Sequence, residues 1–374
     1  MYCEQLKTIL TTILSVTPDS QTKVELLKEF SFVEEKQCFT DIIKSNINSL
    51  NYDNPFYIVS KAEIYLNLGM NREAKQEIDK LMKIVNNEGV LDPWSRVKFI
   101  VCIARFFINL GEIKKAEEQL EKARSILHEV PDKSDRSDAM KHVAITYALI
   151  DKPDTYLEIV DSIPFLQRKI EAILEIMDIL CEKKKINGSD QIIDYLPPEW
   201  KIVALSKVAN CYFKQKLVNK AKVLTERILK SVSIMESTDT LVEVYRNLLP
   251  VIISTKSLSD ANEEINNFLG KIRDRDKIVK IIDVSSLKYI SPIKLLGIEI
   301  FLLEHMDEIR SLPIKLEIQS LLLVMDILLD KNIEEVMKSF LKKLESVEDH
   351  LKGLYIQKFS NYIAVIFGKH RLRC

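Results

Sequence analysis

The residue types that ordinarily carry chemistry are present in this chain without the spacing that chemistry requires. Histidines stand at 128, 142, 305, 350 and 370, and cysteines at 3, 38, 102, 181, 211 and 374. None forms a CxxC pair or lies at the separation of a metal-ligand set. A nucleophile and base would require Cys102 or Cys211 to meet His142, which only the fold can arrange. Carboxylates crowd at Asp135 to Asp138 and Asp274 to Asp276, both at expected helix starts, where negative charge is favoured in any case. With only 8 glycines in 374 residues, the chain has neither a phosphate-binding loop nor a dinucleotide fingerprint. The reading is a non-enzymatic protein with no cofactor and no metal.

Composition narrows the remaining classes. Hydrophobic residues make up 47% and charged residues 29%, the balance of an ordinary folded chain rather than a disordered or membrane-embedded one. The 54 basic and 55 acidic residues leave a formal charge of −1, so there is no general field to displace counterions from a nucleic-acid backbone. Two local basic clusters, Lys183 to Lys185 and Lys369 to Arg373, are read first as helix C-termini, where cations are favourable. The most apolar runs, Leu295 to Leu303 and Leu321 to Leu329, contain Glu299 and Asp326 and fall short of the roughly 20 residues a spanning helix needs. The N-terminus carries Glu4 and Lys7 where a signal peptide would be apolar, and Cys102, Cys181 and Cys211 lie in apolar stretches as free thiols would. The expected setting is therefore reducing and cytoplasmic, with no membrane partner.

The elements that would have to position any site are marked by small residues. Ala62 and Ala74, Ala104 and Ala116, and Ala209 and Ala221 share one step (74−62 = 116−104 = 221−209 = 12), with Tyr65, Phe107 and Tyr212 three places after each first alanine. Asn54-Pro55 and Asp92-Pro93 each place a capping residue before a proline at the first helical position. The two helices they open run to Gly69 and Gly111, where a helix C-terminus needs positive φ. A second helix follows each glycine, carrying Ala74, Ile78 and Leu81 or Ala116, Leu120 and Ala123 on one face. Weaker copies follow at Val143-Ala144-Tyr147, at Ala172 and Met177, and from Val244 to Ala261, where Ser257 and Asp260 make a capping box with Asp in place of Glu. Beyond Lys271 the pattern blurs. Ile278 to Val284 is assigned as helix, with a short strand as its rival because β-branched residues dominate. Leu316 to Leu329 is apolar almost all round and must be buried, in a closing cap or against another chain.

These residues resemble tetratricopeptide repeats: Ala62-Tyr65-Gly69-Ala74 and Ala104-Phe107-Gly111-Ala116 match the family's small residue, aromatic, turn glycine and second-helix alanine. Ala209-Tyr212-Ala221 matches with Lys216 in the glycine's place. The resemblance covers roughly residues 51–130 and 198–232. It implies an all-α fold, an α-solenoid of stacked antiparallel helix hairpins in a right-handed superhelix. Residues 1–50 would be a cap or degenerate repeat, 51–272 the array, and 273–374 degenerate repeats, a cap or a dimerisation region. It also implies a concave groove that holds a protein or peptide segment, with Glu63, Asn67, Lys98, Arg105, Asn109, Lys141, Asn210 and Lys214 at the groove-facing positions. Asn67 and Asn109 are equivalent (109−67 = 42 = 104−62), and an asparagine can bond both the donor and the acceptor of a peptide backbone. The expected function is a protein-binding scaffold or adaptor, the alternative a regulatory or RNA-associated helical repeat. Self-association through the apolar C-terminal helices is compatible with either.

Overall fold

The computed structural model describes residues 3–368 apart from 18, 34–35, 50–53, 88, 233–234, 236 and 272–274. Among the described residues the chain is all-α. In chain order the helices are α1 (Cys3–Val16), α2 (Ser20–Ser31), α3 (Thr40–Ser49), α4 (Pro55–Asn67), α5 (Asn71–Asn86), α6 (Pro93–Asn109), α7 (Ile113–Ser125), α8 (Lys133–Leu149), α9 (Pro153–Ser162) and α10 (Leu166–Glu182). They continue as α11 (Asp190–Ile193), α12 (Pro198–Lys214), α13 (Val218–Val232), α14 (Thr238–Thr255), α15 (Leu258–Lys271), α16 (Pro292–His305), α17 (Leu312–Leu328), α18 (Ile333–Ser346) and α19 (Asp349–Phe367). An isolated antiparallel bridge joins Val33 to Gly368.

Helix starts are set by side chains. The Asn54 carboxamide accepts from Phe56 N at 2.9 Å, and the Asp92 carboxylate accepts from Ser95 N at 3.0 Å. Asp132 opens α8 by accepting from Ser134 N and Asp135 N at 2.7 and 2.9 Å, and the Ser257 hydroxyl accepts from Asp260 N at 3.1 Å. Each satisfies amides that the first turn leaves without a partner.

Helix ends follow one rule six times. After α4 and α6, Gly69 and Gly111 take φ of 78° and 76°. After α8, α10, α12 and α17 the same position is held by Asp151, Lys184, Lys216 and Asp330, at φ of 58°, 58°, 63° and 59°. In every case this residue's N–H reaches back three residues, and the next N–H reaches back five. Thus Gly69 N and Met70 N donate to Leu66 O and Tyr65 O at 3.0 and 2.8 Å, Gly111 N and Glu112 N to Ile108 O and Phe107 O at 2.9 Å each, and Lys216 N and Leu217 N to Phe213 O and Tyr212 O at 2.9 and 2.8 Å. This is the Schellman closure, which pairs the last carbonyls of a helix and reverses the chain. The repeated aromatic of the sequence, at Tyr65, Phe107, Tyr147 and Tyr212, is the residue whose carbonyl receives the longer bond. Antiparallel hairpins result: α4 packs on α5, α6 on α7 and α8 on α9. Ala62, Ala74, Ala104, Ala116, Ala209 and Ala221 are all fully buried, as expected of small residues that let helices approach closely.

Two compact units divide the chain, with the boundary inside α12. One consists of residues 51–204, and in it α6 and α8, then α8 and α10, also lie side by side. The other consists of residues 1–50 and 205–370. Here α2 packs on α19 and α1 on α18, so the N-terminal segment shares a core with the C-terminal helices. Val24, Leu27 and Phe30 of α2 and Tyr355, Ile356 and Phe359 of α19 are among its buried residues. In the same unit α17 packs against α16, α18 and α19, with Leu316, Leu321, Val324 and Met325 fully buried. The all-round apolar helix is thus covered by the chain itself.

The segment from Ile278 to Val284, expected as helix with a strand as its rival, is helical in the 3₁₀ form, over Arg275–Ile281 and Val284–Tyr289, rather than α-helical. Its β-branched residues, stiff at χ1, gain little from an α-helix, and among the described residues no partner strand exists to pair with it. Contrary to the expectation of free thiols at Cys181 and Cys211, Cys38, Cys181 and Cys211 are disulfide-bonded, while Cys102 is a free thiol. The cysteines therefore give no support to a reducing compartment.

The left-handed turn residue gives a test with opposite signs at equivalent positions. An L-residue at positive φ costs roughly 1–2 kcal/mol, so Lys216→Gly is expected to raise stability by up to about 1 kcal/mol. Gly111→Ala, where an added Cβ meets nothing within 4 Å, should lower it by about 1 kcal/mol from backbone strain alone. Urea unfolding midpoints check both.

Candidate functional site

In the unit of residues 51–204, the helices that begin each hairpin carry a continuous polar network centred on Asp138. This side chain sits near the start of α8, 14% exposed. Trp94 Nε1 of α6 donates to its Oδ2 at 3.2 Å. Lys98 lies at 3.7 Å, Lys141 at 3.5 Å, His142 Nε2 at 3.7 Å and Arg168 Nε of α10 at 3.9 Å. A second carboxylate, Glu171, takes Lys141 at 3.1 Å and Arg168 at 2.7 Å. Above these, Arg105 Nε donates to the Thr146 hydroxyl at 3.1 Å, tying α6 to α8. The Lys98 ammonium also lies 4.3 Å from the Trp94 ring centre, a cation–π contact.

The electrostatics follow from crowding cations in a partly desolvated place. Burial raises the Asp138 carboxyl, but His142, Lys141, Lys98 and the Trp94 hydrogen bond outweigh it, holding the acid below its ordinary range. Glu171 is likewise lowered: burial opposes, and bonds from Arg168 and Lys141 prevail. Glu175 goes the other way, because desolvation exceeds the help it receives from Lys141 and Arg105. His142 is pushed down to about 3, by desolvation first and then by Arg105, with Asp138 opposing. It is thus neutral at physiological pH.

A second network lies in the other unit. Asp283 caps the 3₁₀ segment Val284–Tyr289 and is held by Lys214 at 3.1 Å, Asn210 Nδ2 at 2.9 Å and the Ser285 hydroxyl at 2.7 Å. Lys214 also donates to Ser285 Oγ at 2.8 Å. Burial would raise the Asp283 carboxyl, but Lys214 and the bonds from Ser286, Ser285 and Asn210 drive it well below the usual carboxylate range. Lys214 and Asn210 of α12 are thereby tied to the 3₁₀ segment through Asp283 and Ser285.

Of the groove positions expected from sequence, Asn109 is exposed and Lys98 half-exposed at the edge of the Asp138 network. Glu63, Asn67, Arg105, Lys141 and Asn210 are buried; Arg105 and Lys141 donate to neighbouring helices, and Asn210 and Lys214 to the 3₁₀ segment capped by Asp283. The structure joins Lys98 to Lys141 through Asp138, and Asn210 to Lys214 through Asp283. Glu171, Glu175, Arg168 and Thr146 belong to the network without standing out in the sequence, and Asp138 looks there like a helix-start carboxylate. The helical spacings Asp138-Lys141-His142 and Arg168-Glu171-Glu175 are the local signals. His142 faces Asp138, and Cys211 is consumed in a disulfide. The basic run at 183–185 is a helix end: Lys183 donates to Leu149 O at 2.6 Å, and Lys183 and Lys185 flank Asp151 at 3.0 and 3.1 Å. The tail cluster Lys369 to Arg373 lies outside the described residues. Between α4 and α6, the gap beside Glu63, Cys102 and Asn109 measures only about 10 Å³, too small for a metabolite. Among the described residues no group of three metal-capable side chains converges, and no helix is long and apolar enough to cross a membrane. The chain matches no protein-family model, no curated protein and no solved structure.

Two outcomes test the network. Asp138→Ala leaves Lys98, Lys141 and Arg168 short of a counter-charge and should cost about 3 kcal/mol in a denaturant titration. His142 has a folded pKa below its unfolded value of 6.5, so the unfolded state binds the extra proton and stability falls as pH drops below 6.5. The slope is at most about 1.4 kcal/mol per pH unit. Melting temperatures from pH 7 to pH 5 should flatten in His142→Gln.

Proposed function

We propose that the hairpins from α4 to α10 form a TPR-like, right-handed α-solenoid that serves as a non-enzymatic scaffold or adaptor, taking a protein or peptide segment along the face of α4, α6 and α8. The observation that carries this reading is the same closing turn recurring after successive first helices, with those helices side by side. A face built in that way repeats its polar groups at nearly constant intervals, which suits an extended polypeptide better than a compact ligand.

The Asp138 network contributes by fixing the helices that present this face. Its cations are largely matched within the unit, so the exposed edge, Asn109 and Lys98, is where a partner would make polar contact. The RNA-associated alternative is less well supported, because Lys183 and Lys185 already share Asp151 and a helix end. Neutralised cations release few counterions on binding.

The test is residue-specific photo-crosslinking in the full chain. A photoreactive side chain at Asn109 or at Lys98 should capture the same polypeptide, whereas one at Val223, which is 68% exposed on α13, should not. Capture from Val223 alone, or of nucleic acid rather than polypeptide at Asn109, contradicts the reading.

A further inference from the structure

Of all the asparagines in the chain, Asn187 alone is followed by glycine; every other is followed by a residue that carries a Cβ. That neighbour governs whether the next backbone amide can reach the asparagine side chain, because a Cβ obstructs the approach and restricts the backbone rotation it requires. Asn187 and Gly188 are both exposed, and a Cβ built on Gly188 would meet nothing within 4 Å. The pair lies in the 3₁₀ turn Ile186–Gly188, between α10 and the four-residue α11. Two backbone bonds hold this turn, from Gly188 N to Lys185 O and from Ser189 N to Ile186 O, each at 3.0 Å. Short 3₁₀ pieces have poorer hydrogen-bond geometry than α-helices, and solvent-exposed turns open locally at the least cost. Ile186 and Ser189, at the two ends, are each 2% exposed, which confines such an opening to the Asn-Gly pair.

We propose that Asn187 is a covalent modification site, deamidated spontaneously through a succinimide to aspartate and isoaspartate. Opening of the turn takes the Gly188 amide off Lys185 O. Hydroxide removes its proton, and the nitrogen attacks Asn187 Cγ: the N–Cγ bond forms, the Cγ–Nδ2 bond breaks, and ammonia leaves. Water then adds to one of the two ring carbonyls. Cleavage of the N–Cγ bond gives aspartate in an ordinary main chain. Cleavage of the bond between Gly188 N and the Asn187 main-chain carbonyl carbon gives isoaspartate, whose main chain runs through Cβ and Cγ. The net reaction consumes one water and releases one ammonia, with no change of oxidation state.

The structural consequence follows from where the extra carbon enters. Both bonds of the turn span residue 187, from Lys185 to Gly188 and from Ile186 to Ser189, so a main chain lengthened there closes neither as before. The Lys185 amide, bonded to Leu180 O at 2.7 Å, precedes the insertion and keeps its partner. Either product also places a new negative charge next in sequence to the basic run Lys183 to Lys185. This change is independent of the peptide-binding reading, since it requires no partner.

The full chain, kept folded at mildly alkaline pH and sampled over time, is digested and mapped by mass spectrometry, which reads deamidation as a gain of one dalton at residue 187. Labelling with an isoaspartate methyltransferase identifies the isomer. Asn187 should convert before any other asparagine, and more slowly than in the same chain unfolded in urea, because the turn must first open. Gly188→Ala should lose most of the conversion, with helicity by far-UV circular dichroism unchanged. Asn187→Gln, which leaves the glycine in place, is the second variant should the first disturb folding, and should lose it as well. In the isoaspartate form the Gly188 and Ser189 amides should exchange hydrogen faster, while Lys185 stays protected. An Asn187 that stays intact in the folded chain while it converts in urea, earlier conversion at another asparagine, or undiminished conversion in Gly188→Ala would overturn the proposal.

Discussion

A helix that must reverse and pack against its own continuation has to satisfy its last carbonyls while changing direction, and in this chain one solution recurs. A residue in the left-handed region turns the backbone, and two successive amides reach back into the helix. Everything else in the hairpins depends on that closure. It fixes where the second helix starts, hence which alanines meet, hence how closely the helices approach. Glycine supplies the conformation without steric cost at 69 and 111, while Asp151, Lys184, Lys216 and Asp330 adopt it against their Cβ atoms. Asp151 and Lys331, the latter one place beyond Asp330, gain ion pairs in the bargain: Asp151 binds two lysines, and Lys331 bridges Glu299 and Asp326.

Once hairpins are set side by side, their first helices present polar groups to one another, and these must be matched because they are partly desolvated. The Asp138 network does this between α6, α8 and α10, and the Asp283 network does it between α12 and the 3₁₀ segment that follows α15. The two are built alike: one carboxylate gathers cations and neutral donors from several elements and is held ionised by them. Such networks tie neighbouring elements together through matched charge, while Asn109 stays on the exposed side of α6.

How far the sequence could be read follows from this hierarchy. The hairpins around Gly69 and Gly111 were legible because the glycine, the capping Asn54 and Asp92, and the spaced alanines all report the same local geometry. The turn at Lys216 was legible from its alanine and aromatic despite the lysine, and those at Lys184 and Asp330 much less so, since neither residue announces a left-handed conformation. The polar networks were largely hidden. Asp138 joins Trp94, 44 positions earlier in the chain, and Asp283 joins Asn210 across 73; no local pattern signals pairing over such distances. For the same reason Arg105, Lys141 and Asn210 read as surface residues. Nor could the joining of α2 to α19 be read, since it depends on two apolar faces at opposite ends of the sequence.

The central claim is that the recurring turn organises the hairpins, and backbone hydrogen exchange tests it most directly. The amides of Met70, Glu112, Lys152, Lys185, Leu217 and Lys331 follow the helices as loop residues, yet each is bonded to a carbonyl five residues back. They should exchange as slowly as amides within the adjoining helices. Exchange at the rate of an open loop in most of the six would contradict the account.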